Sequence, residues 1–377
     1  ILGCITGGSI SFYLQGRGYR DSEIGIITSI FCFATFIMQP LIGNLSDRVK
    51  FLTWKKLIII LGIPYICVAI LMLILQDKLL GAIFFGVLLI ITNAILPLAN
   101  TAMFAYQKQG IEINFGVARG MGSATYAFTA LIMGNLAAKR GINIVPAAGI
   151  IMMVVFFCLI FTMSANYDSE EKTSDLKETN AIGFIRKYPE FAIMLLAVIF
   201  MFFSHNIVAI YLLQIIQSLG GNSVHLGRAL FIQAMIEIPV LFGFSFLLKK
   251  VKVSNLMIIA GVGYFLKAVL YFSAKNVGMI YIAQLGQIFS FAILAAASVY
   301  FTGIVVSMED QATGQAFMSG MGSAGNVLGS LFGGWILEYM GVKYLLIINI
   351  IISIIGTAVA LYAVKLMKKR CIGEFIL

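Results

Sequence analysis

The sequence predicts an all-α membrane protein with 12 transmembrane helices in two pseudo-symmetric six-helix bundles, the first helix being truncated. Three observations lead to this fold class. The composition is 60% hydrophobic and only 11% charged, whereas soluble domains are about 25% charged. The apolar residues come in runs of roughly 20, the length that a helix needs to cross a bilayer. One pentapeptide also occurs twice, once in each half of the chain. A water-soluble fold is therefore excluded.

The apolar runs define the crossings in chain order. The first run ends by Tyr13 and is too short to cross a bilayer, so we expect further residues before Ile1 to complete it. Charged or glycine-containing loops separate the other runs. The predicted spans are 1–14, 24–45, 55–75, 79–105, 118–138, 145–163, 191–218, 226–248, 255–273, 277–305, 312–337 and 342–366.

A long polar segment, residues 164–190, interrupts the apolar pattern once. Ten of its residues are charged, so it lacks the apolar surface needed to fold by itself. We interpret it as a flexible cytoplasmic linker between an N-terminal bundle, 1–163, and a C-terminal bundle, 191–377.

An internal repeat supports two related halves. The motif Gly-Met-Gly-Ser-Ala occupies residues 120–124 and again residues 320–324. The two copies fall on the fifth predicted helix of each half, which indicates a parallel repeat. Small residues are common where membrane helices pack, so a chance recurrence is the alternative.

The positions of the basic residues predict the orientation. The loops around 46–56, 106–116, 164–190 and 249–254, with the C-terminal tail, hold sixteen Lys and Arg residues, and the opposite loops hold eight. Basic loops stay in the cytoplasm, so both termini and the linker are expected there. The net charge of +10 is spread over these patches, which suits an anionic membrane leaflet and argues against a nucleic-acid partner.

Several function classes lack their motifs. The five cysteines have no paired spacing, and the chain has two histidines without a metal-binding or hydrolase pattern. No phosphate-binding loop motif occurs either. We therefore expect no enzyme activity, no metal and no cofactor.

Charged residues inside predicted spans are costly, about 2.5–3.5 kcal/mol each on insertion scales, and so indicate function. Glu237 is the one carboxylate well within a span, and Gln233 lies one turn away on the same helix face. Lys267 lies on the next helix. Glu237 is a candidate proton-carrying group with Lys267 as its partner; a purely structural ion pair between them is the alternative.

A second set of polar residues is a candidate substrate site. Arg119, Ser123 and Tyr126 share one helix face at spacings of four and three residues. A guanidinium, a hydroxyl and an aromatic ring suit a polyhydroxylated or anionic solute, although Arg119 could instead reach the headgroups. His205 and Asn206 are weaker candidates on the seventh predicted helix.

The loop after the second span carries a family signature. Residues 43–48 read Gly-Asn-Leu-Ser-Asp-Arg, which resembles the G-x-L-x-D-R motif of the major facilitator superfamily. That resemblance assigns a conformational role to Gly43, Asp47 and Arg48, and it implies alternating access around a central site. A basic cytoplasmic loop with an incidental acid is the alternative.

Within that superfamily the chain is most similar to the lactose permease and nucleoside proton symporter branch. Residues 115–119, Phe-Gly-Val-Ala-Arg, resemble the permease segment whose arginine contacts sugar, so the resemblance implies substrate contact by Arg119 and ring stacking by Tyr126. It also aligns Lys267 with the permease's coupling arginine on the ninth helix. Glu237 aligns with the acid that the wider branch carries on the eighth helix.

The departures from the permease pattern concern coupling and substrate. Asn100 replaces a sugar-binding acid, and Gln284, Gln287 and Ser290 replace the charged residues of the tenth helix. Lactose is therefore not the expected substrate, and if proton coupling is retained, Glu237 must take it over. Gln284 and Gln287 still offer neutral hydrogen bonds to a sugar or nucleoside.

The sequence thus predicts a monomeric secondary transporter of the inner (plasma) membrane. Its expected partners are lipid, protons and a small polar solute, namely a sugar, glycoside or nucleoside taken up by proton symport. Proton-driven export of drugs or metabolites on the same fold is the alternative.

Overall fold

The computed structural model describes residues 1–48, 54–108, 115–162, 181–307 and 310–369, and all regular structure in these residues is helical. The α-helices are α1 (Leu2–Thr6), α2 (Ile10–Gly16), α3 (Asp21–Arg48), α4 (Trp54–Ile74), α5 (Lys78–Lys108), α6 (Phe115–Arg140), α7 (Ile144–Thr162), α8 (Ala181–Lys187), α9 (Pro189–Ser218), α10 (Ser223–Lys250), α11 (Val253–Ser273), α12 (Val277–Leu285), α13 (Phe291–Val305) and α14 (Gln311–Lys369).

Nine segments of the described residues are long and apolar enough to cross a membrane. Several of these segments contain a break. Residues 120–162 turn through a short 3₁₀ helix at Gly141–Asn143. Helix α14 changes direction at Gly341, whose φ of 82° lies in the left-handed region that favours glycine. The prediction of an all-α membrane protein is confirmed.

The predicted tenth span, 277–305, is not one continuous helix. Helix α12 ends at Leu285, a 3₁₀ turn covers Gly286–Ile288, and α13 begins at Phe291. Gly263 of α11 packs against this break, since a Cβ on Gly263 would lie 2.1 Å from the carbonyl oxygen of Phe289. The predicted span is thus a single apolar segment with a break that hydropathy does not record, and close packing of α11 against the backbone accompanies that break.

The two halves, α1–α7 and α8–α14, pack together through two helix pairs. Helix α3 contacts α14, and α6 contacts α10. Gly134 and Gly227 form the closest point of the second pair: a Cβ on Gly134 would lie 2.8 Å from the Cα of Gly227. Small residues allow membrane helices to approach this closely.

Several hydrogen bonds between the halves, among the described residues, lie at one end of the molecule. The Gln214 amide donates to Asp21 at 3.0 Å, the Ser22 backbone N–H donates to Glu338 at 2.9 Å, and Gln15 and Gln217 exchange hydrogen bonds. One buried apolar cluster joins the N-terminal half to this end of the C-terminal half, and a second lies within the C-terminal half alone. The halves are thus closed at this end.

The predicted linker, 164–190, is partly helical. Residues 163–180 lie outside the described part of the chain, whereas Ala181–Lys187 form α8 and α9 begins at Pro189. Phe184 is buried in the C-terminal core and stacks on Phe317. This apolar contact explains why the last part of the predicted linker folds against the C-terminal half.

An ion pair and a hydrogen bond connect the end of α8 and the residue after it to Asp310, which precedes α14. The Lys187 ammonium donates to Asp310 at 2.6 Å, and the Tyr188 hydroxyl donates to the same carboxylate at 2.8 Å. These two donors lower the pKa of Asp310 below its usual 3.8, and the Asp310 carboxylate raises the pKa of Lys187.

Asp310→Asn is expected to lower the melting temperature modestly at neutral pH. A carboxylate with a lowered pKa stabilises the fold above its usual pKa, and that contribution is lost as the pH falls through the folded pKa. The difference in melting temperature between wild type and variant should therefore begin to shrink as the pH falls below about 4 and should disappear at a pH below the lowered folded pKa. A difference that is unchanged at that pH would contradict this assignment. Thermal unfolding of the detergent-solubilised protein measures it.

Candidate functional site

Three polar side chains from three helical segments form a hydrogen-bonded chain within the C-terminal half. The Lys267 ammonium on α11 donates to the Gln287 side-chain oxygen, and the Gln287 amide nitrogen donates to Glu237 Oε1 on α10 at 2.7 Å. Lys267 is 5% exposed and Gln287 is fully buried. The residues predicted as an acid and its basic partner are thus connected through an amide.

Gln287 is suited to this position by its chemistry. An ammonium group only donates hydrogen bonds and a carboxylate only accepts them, whereas a primary amide does both. Because Gln287 lies in the 3₁₀ turn between α12 and α13, the break in the tenth crossing places this amide between α10 and α11. Buried charges are stable only when they are paired or hydrogen-bonded, and Gln287 provides a hydrogen bond to each of these two charged groups.

The hydroxyl groups of two tyrosines interact electrostatically with the Glu237 carboxyl group. Tyr264 comes from α11, and Tyr126 comes from α6 in the N-terminal half. Tyr126 also approaches the segment between α1 and α2, because its hydroxyl would lie 3.1 Å from a Cβ on Gly8. The acid on α10 therefore interacts electrostatically with a tyrosine of each half.

A cavity of about 230 Å³ lies between the two halves. Its polar lining is neutral and consists of amides and hydroxyls from both halves together with one cysteine. The lining residues are Gly7, Ile10, Thr28, Cys32, Thr35, Leu89, Asn93, Asn206, Ile210, Ser323 and Asn326. The Asn206 amide donates to Asn326, which links α9 to α14 at the cavity wall.

The structure distributes the predicted substrate residues over several places. Asn206 lines the central cavity, whereas His205 points elsewhere, stacking on Phe291 with ring centroids 4.8 Å apart. Gln284 is fully buried on α12, and neither polar atom of its amide has a hydrogen-bond partner in the described part of the protein. Gln233 and Ser123 are partly buried on α10 and α6.

Five predicted residues have side chains outside the described part of the structure. Asn100 and Arg119 fall on α5 and α6, and Gly43, Asp47 and Arg48 fall at the end of α3. Their roles remain predictions. Among the residues that the structure describes, no group of three or more His, Cys, Asp and Glu residues could hold a metal ion.

Asn93 and Asn326 are not among the residues predicted from the sequence. Both are neutral amides in apolar helices, where a polar residue needs a hydrogen-bond partner. Asn326 follows the second copy of the repeated pentapeptide by two residues, so its position next to the repeat was an available signal. Asn93 lies in a strongly apolar helix and is distinguished only by its amide.

Comparisons with known proteins agree with this architecture. The model of the MFS_1 like family matches residues 3–348. The chain is 23% identical over 371 residues to the uncharacterized transporter YwbF of Bacillus subtilis (strain 168), covering 96% of this chain and 90% of that protein.

Solved structures share the fold at low sequence identity. The nucleoside transporter NupG superposes with a TM-score of 0.79 at 16% identity, covering 97% of this chain and 96% of that one. A mutant of the peptide transporter POT superposes with a TM-score of 0.72 at 10% identity, covering 96% of this chain and 92% of that one. At these identities the similarity establishes the fold alone.

Proposed function

Because this chain belongs to the MFS_1 like family and is a membrane transporter of that type, we propose that it imports a small polar solute together with protons. The observation that carries this proposal is that the protein combines a neutral, amide-lined cavity between the halves with a hydrogen-bonded acid–amide–lysine chain in the C-terminal half. The cavity would bind the solute and Glu237 would carry the proton.

We further propose that the solute is a nucleoside, a sugar or a glycoside. The amides of Asn93, Asn206 and Asn326 contain neutral donor and acceptor groups at the cavity wall, and such groups suit hydroxyl groups and nucleobase edges better than a charged solute. The likeness of the fold to a nucleoside transporter makes nucleosides the first class to test.

The proposed topology has twelve crossings with both termini in the cytoplasm, in the inner or plasma membrane. Nine apolar segments support it, with the additional breaks at 141–143 and Gly341 and the short helices α1 and α2. In this orientation the closed end, where Asp21 meets Gln214 and Ser22 meets Glu338, faces outward. The structure would then represent a state closed to the outside.

Coupling follows from the charge state of Glu237. A carboxylate receives a stronger hydrogen bond from Gln287 than a neutral acid does. Protonation would therefore weaken the link between α10 and the broken crossing and would remove the attraction between Glu237 and Lys267. We propose that this loosening, together with solute binding, permits the halves to rock.

Proteoliposomes with an alkaline interior test the proposed function directly. Labelled nucleosides, sugars and glycosides are offered in turn, and at least one class should accumulate above equilibrium until a protonophore collapses the pH gradient. Failure of all three classes to accumulate would contradict the proposal, and efflux of preloaded solute against its gradient would indicate export instead.

Asn326→Leu is expected to weaken binding of the transported solute by roughly 2- to 10-fold. A neutral hydrogen bond is worth about 0.5–1.5 kcal/mol, and this change removes both the contact to solute and the partner of Asn206. Asn135→Leu is the matched control, because Asn135 is exposed on α6 and its amide bonds its own helix. Equal affinity in the two variants, measured by titration calorimetry, would remove Asn326 from the site.

A further inference from the structure

A second, much smaller cavity lies inside the C-terminal half. Its volume is about 10 Å³, which is close to the space that one water molecule needs. It lies between α9, α11 and α14, and its polar lining residues are Ser204, His205, Tyr264, Lys267, Tyr271 and Asn349. Lys267 therefore borders this cavity as well as contacting Gln287.

Three of these lining side chains carry buried oxygen atoms without a partner. The hydroxyls of Tyr264 and Tyr271 and the Oδ1 atom of Asn349 make no hydrogen bond to any described residue. The three residues are 2%, 1% and 2% exposed. Native proteins rarely leave such groups unpaired, so three around one small cavity indicate that something binds there.

The lining chemistry selects the kind of ligand. The Asn349 oxygen only accepts hydrogen bonds, which disfavours an anion, and the Lys267 ammonium disfavours a cation. The volume excludes a sugar or a nucleoside. Water both donates and accepts, and it can satisfy two to four polar groups in so small a space.

We propose that this cavity binds one structural water molecule, which gives Lys267 a second hydrogen-bond partner besides Gln287. The water keeps the buried ammonium solvated when Gln287 moves with the broken crossing. This consequence for Lys267 rests on the proposed function, whereas the binding of water does not.

X-ray hydroxyl-radical footprinting in detergent tests the site without substrate or a pH gradient. Radicals formed from a bound water oxidise adjacent side chains even when these are buried. Tyr264 and Tyr271 should be modified several-fold faster than Tyr211, which is equally buried but donates its hydroxyl to the Ser330 carbonyl. Equal rates for the three tyrosines would overturn the proposal.

Asn349→Leu should displace the water, because leucine has a similar volume and cannot hydrogen-bond. The oxidation rates of Tyr264 and Tyr271 should then fall to that of Tyr211. Ser353→Ala is the matched control on the same helix, since Ser353 is buried and bonds the Ile350 carbonyl. If the leucine variant does not fold, Tyr271→Phe replaces it, and Tyr264 should still lose its rapid oxidation. Unchanged rates in the folded variant would contradict the site.

A transport assay tests the proposed role of the water at Lys267 separately from the binding of the water. With the water displaced, proton-driven accumulation should fall several-fold relative to solute exchange, while Ser353→Ala retains both activities. Rapid labelling of the tyrosines together with full accumulation in Asn349→Leu would support the water site but overturn its role at Lys267. Failure of wild-type protein to accumulate any solute would contradict the proposed function and leave the footprinting result standing.

Discussion

Glu237→Gln is expected to abolish proton-driven accumulation while solute exchange across the membrane continues. Glutamine keeps the size of the side chain and can still accept a hydrogen bond from Gln287, so the cavity and its solute contacts should persist. It cannot take up a proton, and it leaves Lys267 without the opposing charge. Accumulation in proteoliposomes with an imposed pH gradient should therefore fall to simple equilibration, whereas counterflow of labelled solute should remain measurable.

Glu23→Gln is the matched control for this experiment. Glu23 lies at the start of α3, is partly exposed and pairs with Lys78 at 3.5 Å. It does not line the proposed solute cavity. Its substitution should leave accumulation intact. Full accumulation by Glu237→Gln would remove Glu237 from the coupling mechanism.

Gly227→Trp is expected to prevent closure of the end where Gln214 contacts Asp21 and to reduce transport to background. A Cβ at Gly227 would already lie 2.5 Å from the Ala130 carbonyl oxygen and 3.0 Å from the Cα of Gly134. Overpacking typically costs about 1–3 kcal/mol, which shifts a two-state equilibrium by roughly 5- to 150-fold. The two halves should therefore separate at this end, lengthening the distance between spin labels at Gln15 and Gln217.

The same helix provides a control for the tryptophan substitution. Gly243 also lies on α10, but a Cβ there meets open space, so Gly243→Trp should leave transport and label distances unchanged. An unchanged Gln15–Gln217 distance in Gly227→Trp would show that the contact between α6 and α10 does not control closure.

Hydropathy predicted the helical architecture because each crossing requires a long apolar run, and this requirement is local in sequence. It did not predict the break at residues 286–290, because the residues on either side are as apolar as in an intact crossing. The break is accompanied by the approach of Gly263 to the Phe289 carbonyl, a contact between helices that no single segment reveals.

The same distinction, between a property of one segment and a contact between helices, explains which parts of the site were predicted. Glu237 and Lys267 were recognised because a charge in an apolar helix is costly wherever it points. Their connection through Gln287 depends on the break in the tenth crossing and was not predictable from spacing. Asn93 and Asn326 carry no charge, so their importance emerged only when the structure placed them at the cavity wall.

Proton movement linked to solute uptake tests the central claim most directly. Lightly buffered proteoliposomes carrying an internal pH indicator receive the solute identified by the uptake screen, with no imposed gradient. The coupling mechanism predicts that the interior acidifies as solute enters wild-type vesicles, and that vesicles with Glu237→Gln exchange solute without acidification. Solute entry into wild-type vesicles with no change in internal pH would contradict it.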